Sequence, residues 1–385
     1  MGTDMSLADV DAIRRQVANG ERLGPRLVTT GQILEGGPIA PAKNFAFITT
    51  AADGRTAVQA LKAGRADFVK VYNRLPRDAY FAIVDEAKKQ SLPVVGHVPL
   101  SVTALGASEA GQKSIEHLSS IDFVCSSREQ EIRNALGKSG GGQMDLLSGA
   151  TESGKKAIFE AVASYNENRC ADAIATFARN HTWQVPTFIA FLQDAEFNDS
   201  RFTNDPRLKY IPASVRKQWS DYAEHNSAPT PMDKFFERHL TILGKMHRAG
   251  VPIMAGTDTA WLDPFTYAGF SLHDELALLV RAGLTPAEAL QAATINPARF
   301  LRIEKDLGSI EPGKISNLVH LPDSIGVGKR TRTRGSDSGN GSKSILAVAR
   351  VSSLSSDDES LDSSGAGPSI SCTGPMNVRH GFPSC

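Results

Sequence analysis

The sequence predicts an α/β chain built from βα units on a parallel sheet. From about residue 9 to 318, short apolar runs rich in valine, isoleucine and threonine alternate with longer amphipathic stretches. The chain has 385 residues, 41% hydrophobic and 22% charged, enough to bury the core of one large domain or two ordinary ones.

Six runs read as strands: RLVTTG (26–31), DFVKVY (67–72), PVVGHVP (93–99), KSIEHL (113–118), WQVPTFI (183–189) and VPIMAGTD (251–258). Between them, SLADVDAIRRQVANG reads as a helix ending at Gly20, PRDAYFAIVDEAKKQ as a helix over 76–90, and Asp233 to Gly250 as a third. SLHDELALLVRAG and TPAEALQAAT give two more, the last opened by Thr285-Pro286. SGGGQMDLLSG (139–149) reads as a flexible insertion whose glycines lack a phosphate-binding spacing. After about residue 320 the chain turns serine- and glycine-rich, with a basic patch (Lys329, Arg330, Arg332, Arg334) and an acidic one (Asp357, Asp358, Glu359). Such a stretch buries too little apolar area to offset its ordering entropy. The expected organisation is therefore a folded body over 1–318 and a disordered tail over 319–385.

Lysine plus arginine balances aspartate plus glutamate at 42 each, so no global field draws the chain to nucleic acid or an anionic membrane. Cys125, Cys170, Cys372 and Cys385 show no CxxC and no dense framework, which points to a reducing compartment. No apolar run approaches the ~18 residues of a membrane span, and the first residues lack a signal-peptide core; the expected location is cytoplasmic.

The lysine inside DFVKVY starts the functional argument. Strand alternation puts Phe68, Lys70 and Tyr72 on one face. Three other predicted strands close on residues of metal-ligand type: His97, His117 and Asp258. Spacings of 97 − 70 = 27 and 117 − 97 = 20 residues each fit one βα unit, so the four side chains are expected to meet at the C-terminal ends of neighbouring strands. A lysine freed of its proton adds carbon dioxide to become a carbamate, an anionic ligand for divalent ions.

FVKVY, GHVP with SIEHL, AGTD and the stretch from SLHDELALLVRAG to EPGK resemble the metal-dependent amidohydrolase superfamily, in its imidazolonepropionase-like and Xaa-Pro-dipeptidase-like branch. The resemblance covers about residues 9 to 318. It implies a TIM-type (β/α)8 barrel, with Lys70 as a carboxylated lysine on strand four, His97 and His117 as metal ligands on strands five and six, and Asp258 on strand eight as ligand and proton acceptor. The implied cofactor is one or two divalent ions, zinc foremost. The implied reaction is hydrolysis of an amide, peptide or cyclic amide in a small-molecule or dipeptide-like substrate, by hydroxide generated on the metal.

The chain also departs from that pattern. The family carries a His-x-His pair on its first strand, yet among the histidines at 97, 117, 181, 225, 239, 247, 273, 320 and 380 no two lie two positions apart. Counting back from Lys70 leaves strands three to eight, an incomplete barrel with unpaired edges that favour swapping or a homo-oligomer. At the other end, the closing segment has Asn317 where the family has an aspartate, which suggests a replaced C-terminus. The alternative expectation is therefore an inactive remnant lacking half of the metal site. Tyr72 and His273 are candidate substrate contacts, against rim packing for the first and helix capping for the second. Glu116 is expected to alternate outward as a structural residue, His181 to be structural, and His225, His239 and His247 to lie on solvent-facing helices.

Overall fold

The computed structural model describes residues 5–37, 44–139, 152–196, 200–225, 232–259, 264–315 and 317. The expected insertion at 139–149 (but for Ser139) and the tail from 319 lie outside these residues. The first element is helix α1 (Leu7–Ala18), opened by Ser6, whose hydroxyl accepts from the Asp9 N–H. Strands β1 (Ile33–Glu35) and β2 (Phe45–Phe47) follow, then α2 (Ala51–Ala63), β3 (Val69–Val71), α3 (Arg77–Lys89), β4 (Val94–Gly96), α4 (Ala104–Ala110) and β5 (Ser114–Glu116). Next come α5 (Ile121–Val124), α6 (Glu129–Ser139), α7 (Glu152–Ala163), α8 (Glu167–Arg179), β6 (Trp183–Val185) and α9 (Phe188–Glu196). A helical stretch follows: α10 (Ser200–Thr203), a 3-10 turn (Pro206–Tyr210), α11 (Ala213–His225) and α12 (Met232–Arg248). The last described helices are α13 (Ser271–Arg281), α14 (Pro286–Ala293) and α15 (Ile295–Leu301).

The strand pairings among the described residues are all parallel. The ladder runs β2-β1-β3-β4, with Lys70 opposite Val95, and β5 pairs with β6. The Lys113 N–H donates to the Val94 carbonyl at 2.7 Å, which sets β5 beside β4. A parallel bridge between Gln184 and Ile253 adds the strand position that leads to Asp258. The βα order and the parallel sheet match the sequence expectation; the pairings of the described residues do not include closure into a barrel.

The main correction concerns RLVTTG. It runs extended beside β3, with the Asp67 N–H on the Thr29 carbonyl at 2.9 Å and the Lys70 N–H on the Thr30 hydroxyl at 3.1 Å. The hydroxyl takes the place of a ladder carbonyl, so the strand itself forms later, at Ile33–Glu35. Helix α2 was not expected either. AADGRTAVQALKA carries Gly54 and Thr56, poor helix formers, but a Thr50–Asp53 capping box starts it. Gly54 also lets α2 approach α3, since a Cβ there would lie 2.8 Å from Ile83. The helices expected at 76–90 and 233–250, and at the two C-terminal stretches, form nearly as read.

One continuous core joins the valines of β3 and β4 to the inner faces of the helices, for example Val69, Val71, Ile83, Phe177 and Leu243. A satellite cluster around Trp219, Phe265 and Tyr267 ties α11 to the segment before α13. Cys125 and Cys170 form a disulfide between the end of α5 and the first turn of α8. Spacing could not reveal this link, because the two are 45 residues apart and meet only where the Asn166 N–H reaches the Cys125 carbonyl. A disulfide does not fit the reducing compartment expected from unpatterned cysteines. No described helix is long and apolar enough to cross a membrane.

Candidate metal centre

Lys70, His97, His117 and Asp258 come together at the C-terminal ends of the parallel strands. Two glycines allow this. Gly96, at φ +114°, brings β4 so near β3 that a Cβ would sit 2.4 Å from the Val71 carbonyl oxygen, and it places His97 at the next position. Gly256 packs on Val185, where a Cβ would lie 2.6 Å away, and leads into Asp258. His117 (φ 59°) and Asp258 (φ 50°) both adopt the left-handed region at their strand ends. Strained backbone of this kind gathers at functional sites.

The two histidines are neighbours, with ring centroids 4.7 Å apart. Each is held by the ring nitrogen turned away from the cluster. His97 Nδ1 lies 2.7 Å from Asn73 Oδ1, an acceptor, so Nδ1 carries the proton and donates. His117 Nδ1 lies 2.6 Å from Thr187 Oγ1. That hydroxyl donates its own proton to the Pro186 carbonyl at 2.8 Å, so its oxygen accepts from His117. Both imidazoles therefore present an unprotonated Nε2 to the site. Burial, then the nearby His117 and Lys70, hold His97 well below the usual imidazole pKa. Burial also lowers His117, although Asp258 and Glu116 oppose it.

The structure overturns the outward placement of Glu116. Alternation stops at His117, whose left-handed backbone ends the strand, and Glu116 turns to Lys70 with Oε2 2.7 Å from Nζ. Burial disfavours both charges. The Glu116 and Asp258 carboxylates nevertheless hold the Lys70 ammonium above its ordinary pKa, and Lys70 with His117 holds Glu116 below its own. Donor atoms of His97, Glu116 and His117 all lie within 4.8 Å of one another.

These residues fit a divalent ion. His117 Nε2 and Asp258 Oδ2 face each other at 3.7 Å. With the proton on Nδ1, both are electron-pair donors, and the gap is one that two metal–ligand bonds of about 2.0–2.2 Å bridge. A buried, neutral His pair beside two carboxylates offers the nitrogen and oxygen donors that divalent transition ions take.

Tyr72 packs on the His97 ring, centroids 4.1 Å apart, and meets Phe45 edge-on. His273 lies in the first turn of α13; among the described residues its buried Nδ1 has no hydrogen-bond partner, it makes no hydrogen bond, ion pair or ring contact with the cluster, and it does not cap the helix. His239 is buried rather than solvent-facing: its Nε2 is 2.6 Å from Asp122 and its ring lies on Phe235. The apolar face of α12 is wide enough to take it inward. Asn73 and Thr187 escaped the sequence reading. The only signal for either was its place beside a strand end.

Residues 3–335 match the amidohydrolase family. An imidazolonepropionase of Pyrobaculum arsenaticum is 42% identical over 80 residues, 20% of this chain and 18% of that protein. Adenine deaminase 2 of Bradyrhizobium diazoefficiens is 46% identical over 54 residues, 14% of this chain and 8% of that protein. The solved structure of bottromycin amidohydrolase superposes with a TM-score of 0.57 at 24% identity, covering 76% of this chain and 59% of that one, a likeness of fold. The chain thus spans less than two thirds of the length of each of these relatives. Homologues in the family are hydrolases acting on carbon–nitrogen bonds. On the match over 3–335, the chain belongs to the amidohydrolase family.

Proposed function

We propose that this chain hydrolyses a carbon–nitrogen bond in a small amide, peptide or cyclic amide with the help of a divalent ion, zinc foremost, held by His97, His117 and Asp258. The observation that carries this reading is the gathering of His97, Glu116 and His117 donor atoms within 4.8 Å of one another, with His117 Nε2 3.7 Å from Asp258 Oδ2. When bound, such an ion supplies a Lewis acid that polarises a carbonyl and brings the pKa of water toward ~7. His97 and His117 hold it through nitrogens whose direction is fixed by Asn73 and Thr187. The second carboxylate oxygen of Asp258 accepts a proton from water and returns it to the leaving amine. Tyr72 shapes the wall beside His97, and His273 is the candidate contact for the far end of the substrate.

Lys70 joins the ligand set only as a carbamate, and that requires its ammonium to leave Glu116 and lose a proton. The paired Lys70 and the lack of a His-x-His favour a second reading, a chain that binds one ion without turnover. Zinc-loaded full-length chain, with and without bicarbonate, should be assayed against N-acyl amino acids, dipeptides and cyclic amides. Metal-dependent turnover that Asp258→Asn abolishes supports hydrolysis. Bound zinc without turnover of any of these leaves the second reading.

A further inference from the structure

We propose that Glu275, on α13, is a positioning residue for this centre: it caps α9 from outside and so frees the Thr187 hydroxyl to set the tautomer of His117. The inference deepens the metal-centre reading, in which His117 is a ligand.

Glu275 is fully buried. Its Oε2 accepts from the Ile189 N–H at 2.8 Å, and the carboxyl also accepts from the Phe188 N–H. These are the first two residues of α9. A helix start leaves its first N–H groups without partners in the helix, and the hydroxyl of the preceding serine or threonine usually takes one. Thr187 holds that preceding position, yet its hydroxyl is used elsewhere: it donates to the Pro186 carbonyl and accepts from His117 Nδ1. Glu275 supplies the missing acceptor from another helix. The backbone agrees, because Thr187 sits at φ 51°. A β-branched residue holds a left-handed conformation only where its surroundings impose it. Here the imposed result is an oxygen placed 2.6 Å from His117. Among the described residues Glu275 makes no hydrogen bond or ion pair with Lys70, His97, Glu116, His117 or Asp258, and its Oε1 has no hydrogen-bond partner. Its influence on the centre therefore runs through α9 and Thr187.

The test uses full-length chain carrying isotope-labelled histidine. NMR of the metal-free protein reads the His117 tautomer, with His117→Asn assigning the signal, and a cobalt(II) titration reads affinity. The wild type should show a single tautomer protonated at Nδ1. Thr187→Val and Glu275→Leu should both lose that single tautomer and weaken cobalt binding about 10- to 100-fold. Their double variant should bind no more weakly than the worse single one, because both remove the same constraint. Glu275→Gln, which keeps an acceptor oxygen, should retain the wild-type tautomer. If Glu275→Leu fails to fold, Glu275→Asp withdraws the oxygen by one methylene and serves instead. A wild-type tautomer in folded Glu275→Leu or Glu275→Asp, or additive losses in the double variant, would overturn the inference. A wild type that binds no cobalt would defeat the functional reading, while the tautomer comparison would still decide this one.

Discussion

The histidine side of the cluster and its carboxylate side are built differently. His97 and His117 are buried, neutral and fixed by hydrogen bonds at the nitrogens turned away from the site. Asp258 has a side chain 32% exposed, and its one ion-pair contact among the described residues is His117 at 3.7 Å. Lys70 is buried but committed to Glu116. The difference teaches that half of the centre is organised before any ion arrives. Asp258, by contrast, is partly exposed and meets His117 across 3.7 Å, so its position is the less constrained of the two.

The largest effect should come from breaking the buried Lys70–Glu116 pair. Glu116→Leu strands the Lys70 ammonium in the interior and should cost about 3–5 kcal/mol in urea unfolding, whereas Glu116→Leu with Lys70→Met should recover most of it. An undiminished stability in the single variant would mean that the pair is not buried as described. Next, His97→Ala should weaken zinc by more than ~100-fold in competition with a chromophoric chelator, since a ligand should matter more than its supporting residues. Asp258→Asn, on the loosely held side, keeps one oxygen donor and should cost less than His97→Ala in the same assay. If the two losses come out equal, the proposed asymmetry is wrong.

A pH effect sharpens the picture from outside the cluster. Burial pushes the Glu275 carboxyl up to about 8, against the Ile189 and Phe188 N–H groups that lower it. Between the usual 4.5 and about 8 the folded chain keeps this proton while the unfolded chain has lost it. Its contribution to stability is therefore complete below pH 4.5 and is lost as pH rises through 8, with a slope of up to ~1.4 kcal/mol per pH unit. Urea midpoints measured across this range should fall more steeply for the wild type than for Glu275→Gln.

Much of this was legible in the sequence because strand ends have a simple geometry. Alternation placed Lys70 inward, and a βα unit of 20 to 27 residues brought His97 and His117 to adjacent strands. The same rule misplaced Glu116, because alternation holds only while the backbone stays extended, and it leaves that state at His117. RLVTTG looked like a strand by composition, but at Lys70 the ladder bond goes to the Thr30 hydroxyl instead of a backbone carbonyl. Asn73 and Thr187 carry no pattern of their own; their roles exist only once two loops are folded beside two imidazoles. Glu275 reads as one more polar residue in an amphipathic helix until α9 is seen to begin at its carboxyl group.

The most direct measurement is metal content and cobalt(II) binding of the purified full-length chain beside its His97→Ala/His117→Ala double variant. The account predicts at least one tightly held divalent ion per wild-type chain and none in the double variant. A metal-free wild type after incubation with zinc or cobalt, or binding that survives loss of both histidines, would contradict it.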